Sequence, residues 1–326
     1  MQIIFLGTSA GKPTKNRNVS ALSLKFKNRK DWMLFDCGEA TQHQILKTNL
    51  SLAKLKNIFI THLHGDHIYG IFGLLASRSM IEECSKLTIF GPKNIKELID
   101  SVLKYTQLNL SFELDIIEVE NNKLYKFDNF SIYTLLLSHS IPTFSYTIIE
   151  KDHVGKLNVE KLLQDGIKPG PIYKEIKNRS KVYYEGKVIE SKDYLEKPKK
   201  GRVVIIAGDN DNPFLFDEIK RRFKYIDLLI HEATYTQDVY DSLGVKIKHS
   251  TAKNVAIAAE NLNIKNLILT HFSPRYTESH DKQKHNIKEI LEEAKKYYKN
   301  RLFLANDFDI YELTIDKNLI LKNINQ

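Results

Sequence analysis

The most reactive part of the sequence is a short cluster of imidazole and carboxylate side chains. It follows an apolar run that predicts a strand over residues 57–61, and its members are His62, His64, Asp66 and His67. Side chains this polar are costly to bury unless each finds a hydrogen bond or a metal ion. Neutral imidazole and carboxylate suit zinc or a similar divalent cation. His62 and His64 can face one side of the loop while the other two begin a helix, so the spacing favours two adjacent cations.

Further ligands would have to come from the ends of other strands. Three candidates directly follow apolar runs that predict strands: His139, Asp209 and His271. Each alone would more often be a capping or core residue, but sites on α/β scaffolds are usually built at such strand ends. Together with the histidine cluster, we therefore expect them to bind metal. Asp211 is a second carboxylate two residues on, and Asp209 is preferred because it directly ends its strand.

The elements that must position these residues alternate between strand and helix. Short runs rich in Ile, Leu, Val and Phe predict strands, and the spacing of Ile95, Ile99 and Val102 predicts a helix with one apolar stripe. The alternation returns near the end of the chain, where helices are predicted over residues 252–262 and 287–298. This pattern predicts an α/β protein with two similar halves around a pair of sheets.

The segment between the two halves differs in composition. Residues 151–200 hold 13 basic and 8 acidic side chains, so more than half of the net charge of +9 lies there. A charge run by itself indicates only a solvated face. With its glycines and prolines, however, the segment predicts an inserted flexible arm between an N-terminal half, residues 1–150, and a C-terminal half, residues 201–326.

Composition excludes several classes of protein. The 326 residues are 42% hydrophobic and 27% charged, which excludes wholesale disorder and a fibrous repeat. No apolar run approaches the roughly 18 residues of a membrane-spanning helix, and the first residues lack the pattern of a secretory signal. Cys37 and Cys84 cannot form a disulfide framework. We expect a soluble, cytoplasmic protein without a membrane partner, whose basic charge favours a polyanion such as nucleic acid.

The histidine cluster resembles that of the metallo-β-lactamase superfamily, and further segments resemble its tRNA 3′ endonuclease family, ribonuclease Z or tRNase Z. These segments are residues 11–18, 35–42, 73–78, 231–234, 249–251 and 271–276. They fall in the family's order, and the resemblance runs from Met1 to about Asp309. Two departures remove no ligand: Ala40 stands where the family has glycine, and Asn210 where it commonly has threonine.

The resemblance implies the fold and the metal content. The fold would be an αββα sandwich, two β-sheets flanked by helices, with an inserted basic arm. Two zinc ions per subunit would be held, the first by His62, His64 and His139, the second by Asp66, His67 and His271, with Asp209 bridging. Manganese, cobalt or iron would also accept these ligands. Such a pair of cations can hold a hydroxide and neutralise charge on a phosphodiester.

The resemblance also implies three catalytic residues. Asp66 would orient the nucleophile and accept its proton. His249 would protonate the leaving 3′ oxygen, and Glu232 would hold the imidazole of His249 in the useful tautomer. The alternative for His249 is a structural position beside Ser250 and Thr251, which are natural caps for the predicted helix that follows.

Precursor tRNA is the implied substrate, and a homodimer is implied in which the arm of one subunit serves the cutting centre of the other. The candidate RNA-binding residues are Lys15, Arg17, Asn18, Arg78, Gly170, Pro171 and Lys174. Taken alone, the loop of residues 11–18 would be a solvated turn, and Arg78 would cap the end of a helix.

The function expected is that of a zinc-dependent endoribonuclease that removes the 3′ trailer from tRNA precursors and leaves a 3′-hydroxyl on the tRNA. One alternative is a hydrolase of a small phosphodiester or thioester with nearly the same histidine cluster, which would not need a Lys-rich arm. A second is a metal-stabilised RNA-binding protein without catalysis, although no residue of the metal cluster is missing.

Overall fold

The computed structural model describes residues 1–278 and 285–322, within which eight strands form a first mixed sheet. In chain order these strands are β1 (Gln2–Gly7), β2 (Ala21–Lys25), β3 (Trp32–Phe35), β4 (Leu55–Phe59), β5 (Leu87–Gly91), β6 (Leu114–Glu118), β18 (Ile310–Leu313) and β19 (Leu319–Lys322). They lie side by side in the order β19-β18-β1-β2-β3-β4-β5-β6. Strands β3 to β6 are parallel, so their carboxyl ends reach one edge of the sheet.

Seven strands of the same described ranges form a second mixed sheet. They are β7 (Leu124–Lys126), β8 (Phe130–Leu137), β9 (Thr143–Glu150), β12 (Val203–Ile206), β13 (Leu228–Glu232), β14 (Asn266–Thr270) and β17 (Arg301–Leu304). Their order across the sheet is β17-β14-β13-β12-β9-β8-β7, and β12, β13, β14 and β17 are parallel. The four residues of β12 are apolar, β-branched and buried, as expected for a strand covered on both faces.

Helices cover the outer face of each sheet. The helices of the described residues are α1 (Thr41–Leu46), α2 (Gly65–Ile68), α3 (Gly70–Ser79), α4 (Ile95–Thr106), α5 (Val159–Gln164), α6 (Pro171–Asn178), α7 (Asp217–Phe223), α8 (Gln237–Ser242), α9 (Ala252–Asn261) and α10 (Lys288–Tyr297). Helices α1, α3 and α4 share a core with the first sheet, and α7, α9 and α10 share one with the second. The helices predicted over residues 252–262 and 287–298 correspond to α9 and α10, and their predicted ends agree with the observed ones to within one residue.

A third core lies between the two sheets and joins the halves. Phe59 is fully buried there, with its ring centroid 5.0 Å from that of Phe35 and 4.8 Å from that of Phe90. Tyr146 reaches across from the second sheet, and its ring centroid lies 5.2 Å from that of Phe59. Such aromatic pairs contribute roughly 0.5–1.5 kcal/mol each beyond the area they bury. The order helix, sheet, sheet, helix confirms the predicted αββα sandwich.

Residues 151–200 are inserted between β9 and β12, which are antiparallel neighbours. The insert holds α5, α6 and a hairpin of β10 (Lys181–Tyr184) and β11 (Lys187–Glu190), packed around a small core of its own. Its two ends meet, because His153 and Lys199 exchange backbone hydrogen bonds of 2.8 and 3.0 Å. The arm is therefore a folded unit on a closed stem.

The strand predicted over residues 57–61 lies earlier, at β4, which leaves the polar cluster wholly in the loop that follows. The small pair β15 (Tyr276–Thr277) and β16 (His285–Asn286) flanks the segment outside the described residues, and residues 323–326 of the predicted C-terminal half also lie outside them. Among the described helices, none is long and apolar enough to cross a membrane.

Candidate active site

Seven of the predicted metal ligands come together where strands of both sheets end. His62 and His64 follow β4, and Asp66 and His67 lie in α2. From the second sheet, His139 follows β8, Asp209 follows β12 and His271 follows β14. His271 has a φ of 57°, an uncommon conformation for a residue with a side chain. Backbone strain of this kind is concentrated at functional sites.

The ligand atoms of the predicted residues form two groups with Asp209 between them, and a third, overlapping group consists of Asp209, His249 and His271. In the first, the ligand atoms of His62, His64, His139 and Asp209 all lie within 4.8 Å of one another. In the second, Oδ2 of Asp66 lies 3.5 Å from Nε2 of His67 and 3.3 Å from Nε2 of His271. These are the two sets that the resemblance implies.

Asp209 lies between the two groups, and its two oxygens face opposite ways. Its Oδ2 lies 3.7 Å from Nε2 of His62 and 3.9 Å from Nε2 of His139. Its Oδ1 lies 3.5 Å from Nε2 of His67 and 3.4 Å from Nε2 of His271. Asp211 is not a member of any metal-binding group formed by the described residues. The geometry of a bridging carboxylate is therefore found at Asp209.

The histidine nitrogens that face the centre fit a divalent cation. Nδ1 of His67 lies 2.7 Å from Oδ2 of Asp36, and Nδ1 of His139 lies 2.7 Å from the carbonyl oxygen of Lys248. An acceptor on Nδ1 places the ring proton there and leaves the lone pair of Nε2 free for a metal. Nε2 of His62 is buried and has no hydrogen-bond partner among the described residues. Such an atom requires a partner, and a metal ion would supply it.

The cationic surroundings stabilise the carboxylates in their charged form. Burial alone would raise the pKa of Asp66, but the neighbouring imidazoles of His67 and His271 hold it well below its usual value. Burial would likewise raise the pKa of Asp209, and the imidazoles of His271 and His67 lower it instead. The pKa of each carboxyl is therefore shifted toward the charged form that a metal ligand requires.

A buried carboxylate, Glu232, pairs with the partly exposed imidazole of His249 beside the cluster. Nδ1 of His249 lies 3.1 Å from both carboxylate oxygens of Glu232, which is only 2% exposed. Burial alone would lower the pKa of His249, but the charge and hydrogen bonding of Glu232 raise it to about 9. The N-cap of α9 is Thr251, whose hydroxyl accepts the backbone N–H of Asn254, so His249 is not needed to cap that helix.

Comparison with known proteins identifies the family. Ribonuclease Z of Marinobacter nauticus is 42% identical to this chain over 98% of the chain and 98% of its own length. Ribonuclease Z of Oceanobacillus iheyensis is 45% identical over 96% of this chain and 100% of its own length. The chain belongs to the ribonuclease Z family.

The fold of this ribonuclease Z family member agrees with solved structures. The short form of human tRNase Z has a TM-score of 0.66 and 26% identity, covering 96% of this chain and 100% of its own. The metallo-β-lactamase fold protein YhfI of Bacillus subtilis has a TM-score of 0.63 at 16% identity, covering 95% and 98%. A protein-family profile described as anti-Pycsar protein Apyc1 matches residues 1–156.

The loop of residues 11–18 in this family member lies against the metal cluster. The backbone N–H of Gly11 donates a 2.7 Å hydrogen bond to Oδ2 of Asp66. Lys15 is exposed, and the side-chain amide of Asn18 donates to the carbonyl oxygen of Glu39. These contacts place the loop at the mouth of the site, where exposed donors of the loop can meet a substrate.

The two arginines predicted to bind RNA, Arg17 and Arg78, are buried and bind the protein itself. Arg17 donates to Thr8 Oγ1 at 2.7 Å and to the carbonyl oxygen of Ala305 at 2.8 Å. Arg78 is 0% exposed and donates to the carbonyl oxygens of three residues around α3, namely Leu52, Leu55 and Ser85. Nη1 of Arg78 has no hydrogen-bond partner among the described residues, but burial keeps it out of reach of a phosphate in solvent.

The remaining predicted RNA-binding residues are in the arm. Gly170, Pro171 and Lys174 are exposed at the start of α6, where proline occupies the first turn. Proline is suited to that position because the missing N–H would have no partner inside the helix. The exposed side of α6 therefore presents lysines to solvent while Ile176 anchors it to the core of the arm.

Several residues that support the site are neither predicted ligands nor predicted catalytic residues. Asp36 follows β3 and accepts hydrogen bonds from the backbone N–H and hydroxyl of Thr61 at 2.7 and 3.0 Å. Asn210 is fully buried and its backbone N–H donates to Oε1 of Glu232 at 2.8 Å. Their positions after apolar strands were visible in the sequence, but their partners depend on which strand ends meet.

Proposed function

We propose that this chain is a zinc-dependent endoribonuclease that removes the 3′ trailer from tRNA precursors and leaves a 3′-hydroxyl on the tRNA. The observation that carries the proposal is near-full-length similarity to ribonucleases Z in a chain whose histidine and aspartate cluster is complete. The adjacent Glu232–His249 pair supplies a proton donor, which hydrolysis of an RNA phosphodiester requires at the leaving oxygen.

We infer that two zinc ions bind per subunit. The supporting geometry is the pair of ligand groups joined by Asp209, with His62, His64 and His139 on one side and Asp66, His67 and His271 on the other. When bound, a pair of divalent cations lowers the pKa of water to near neutrality and neutralises charge on a phosphodiester.

The protein side chains then have separate roles in the reaction. Asp66 is held by the N–H of Gly11 and orients the attacking oxygen, accepting its proton. His249 donates its outer ring proton to the leaving 3′ oxygen of the tRNA as the bond from phosphorus breaks. Glu232 keeps the other ring proton of His249 on Nδ1, so that Nε2 faces the reacting group.

The RNA is bound by charge and shape over a larger surface. Lys15 and Asn18 on the loop beside Asp66 contact the unpaired 3′ end, and the exposed Lys174 with Gly170 and Pro171 grips backbone phosphates of the folded tRNA. The arm and the cutting centre that serve one tRNA belong to different subunits of a homodimer.

The test is cleavage of a tRNA precursor with a 3′ trailer by the zinc-loaded protein, with product ends mapped to the nucleotide. A single cut after the last tRNA-encoded unpaired nucleotide is expected, with the phosphate on the trailer. Asp66→Ala abolishes it, and Asp100→Ala, which removes an exposed carboxylate of α4, leaves it intact. Absence of that cut, with rapid hydrolysis of a small phosphodiester or thioester, would overturn the RNA substrate and retain the metal site.

A further inference from the structure

Two threonine hydroxyls lie between a buried carboxylate and a predicted metal ligand. Oγ1 of Thr61 lies 3.0 Å from Oδ2 of Asp36 and 2.9 Å from Nδ1 of His62. Each of these three side chains is buried. Thr61 therefore connects the carboxylate to the imidazole through a single hydroxyl.

The second sheet repeats this arrangement with different residues. Oγ1 of Thr234 is in close contact with Oε2 of Glu232 and lies 3.2 Å from Nδ1 of His271. These three side chains are buried as well. Thr61 lies two residues beyond the end of β4 and Thr234 two residues beyond the end of β13, so each half places its hydroxyl at the same distance from a strand end.

Proton counting fixes the direction of both chains of hydrogen bonds. An ionised carboxylate only accepts, and a hydroxyl has one proton to donate. The carbonyl oxygen of His271, 3.0 Å from Oγ1 of Thr234, is a competing acceptor, but hydrogen bonds to a charged oxygen are stronger. Each hydroxyl therefore donates to its carboxylate and accepts from the imidazole, which places the ring proton of His62 and of His271 on Nδ1.

We propose that Thr61 and Thr234 are positioning residues, each of which fixes the metal-binding tautomer of one histidine in one of the two ligand groups. The proton on Nδ1 leaves Nε2 of His62 directed at the first group and Nε2 of His271 at the second. Thr234 also joins the second group to Glu232, the partner of His249. The inference rests on the proposed metal site but not on catalysis.

The test compares zinc affinities of valine and serine variants by competition with a chromophoric chelator. Thr61→Val and Thr234→Val keep the shape of the side chain and remove the hydroxyl, and each is expected to weaken one zinc site 10–100-fold, as loss of an outer hydrogen bond to a ligand does. Thr61→Ser and Thr234→Ser keep the hydroxyl, so their zinc affinities should lie within a few-fold of that of the parent protein. Thr147→Val is the matched control, since that buried hydroxyl has no hydrogen-bond partner among the described residues.

A second readout needs neither metal nor substrate. The readout is taken at His62, because Nε2 of His62 has no hydrogen-bond partner among the described residues, whereas Nε2 of His271 lies 3.3 Å from Oδ2 of Asp66. Nitrogen-15 NMR of the metal-free protein reports which ring nitrogen of His62 carries the proton, and the Nδ1–H form is expected in the parent protein. In Thr61→Val the ring of His62 should shift toward the Nε2–H form or a mixture.

The outcomes separate this inference from the proposed function. Valine variants with parental zinc affinity, or serine variants as impaired as the valine ones, would overturn the positioning role. If Thr61→Val does not fold, an Nε2–H ring at His62 in the metal-free parent protein would overturn the role of Thr61. If Thr234→Val does not fold, a roughly tenfold or greater loss of zinc affinity in Thr234→Ser, which keeps the hydroxyl, would overturn the role of Thr234. Failure of the parent protein to bind zinc would instead overturn the metal site, while the NMR result still decides the tautomer.

Discussion

Proton donation by His249 is a step of the proposed reaction that a single substitution can test. His249→Ala removes a proton donor without removing a predicted zinc ligand, so kcat on a tRNA precursor should fall roughly 10²–10⁴-fold while zinc content is unchanged. A precursor with sulfur in place of the leaving 3′ oxygen needs little protonation and should recover most of the loss. Equal losses on both substrates would show that His249 acts by another route.

Ala40 has a backbone conformation that is unfavourable for a residue with a side chain. It lies directly before α1 with a φ of 59°, in the left-handed region where a Cβ is unfavourable. Ala40→Gly removes the Cβ and should raise the free energy of unfolding by about 1 kcal/mol, measured by urea denaturation. The same change at Ala256, a buried position within α9, is the control and should destabilise the protein.

At the scale of elements, the arm can be separated from the catalytic body. His153 and Lys199 pair at its stem, so a short glycine and serine linker joining these two residues should close the gap without disturbing β9 or β12. Because the lysines of the arm would bind phosphates, the shortened protein should lose at least about tenfold in affinity for precursor tRNA. Hydrolysis of a small chromogenic phosphodiester should be unchanged.

The control for this prediction is the dependence of RNA affinity on salt concentration. The logarithm of the binding constant should fall linearly with the logarithm of salt concentration in the full protein, with a clearly smaller slope in the shortened one. Equal slopes and equal affinities would show that the arm does not hold the RNA.

The stem of the arm also contains a buried ion pair that makes stability depend on pH. Arg202 donates to both carboxylate oxygens of Glu150, at 2.6 and 2.5 Å. Burial would raise the pKa of Glu150, but the hydrogen bonds and charge of Arg202 lower it below its usual 4.5. The ionised pair therefore stabilises the fold above pH 4.5, and this stability is lost as pH falls through the lowered pKa.

Glu150→Gln tests that account. At neutral pH it should lower the free energy of unfolding by about 3 kcal/mol, because Arg202 keeps its buried charge without a partner. Below pH 4.5 the curve of the variant should be flatter than that of the parent protein. Urea denaturation across pH 3 to 7 measures both, and parallel curves would contradict the assignment.

The elements were predictable where one physical pattern dominated. Helices α9 and α10 have a clear apolar stripe, and β12 is a continuous apolar run, so their positions follow from the sequence. Strand β9 was not predicted because it carries buried Thr and Ser among its apolar residues, and β6 is only half-buried. Their strand character comes from hydrogen bonding to β8 and β5, and this pairing is established only when the sheet is assembled.

The same reasoning explains the outcome at the site. Imidazoles and carboxylates that directly follow strands could be grouped from the sequence because strand ends meet at a sheet edge. The burial of Arg17 and Arg78 could not be predicted. The sequence does not distinguish an arginine in solvent from one whose guanidinium is bound to backbone carbonyl oxygens inside the protein. The hydroxyls of Thr61 and Thr234 gain their partners only after folding.

At the scale of the whole molecule, metal binding should stabilise the junction of the two halves. The first sheet provides His62 and Asp66 among its ligands, and the second provides His139, Asp209 and His271. Free zinc at 100 times Kd should add about 2.7 kcal/mol per site, since it binds only the folded protein. Tm should therefore rise with zinc and fall with a chelator. Asp209→Ala should lose most of this response, and an unchanged Tm in the parent protein would contradict it.

Because Asp209 and His271 come late in the chain, no fragment from its early part contains the whole set of predicted ligands. A polypeptide that stops before residue 201 has the first histidine cluster and His139, but neither Asp209 nor His271. Products of interrupted synthesis or of a proteolytic cut in the middle of the chain would therefore be unable to assemble the nuclease centre by themselves.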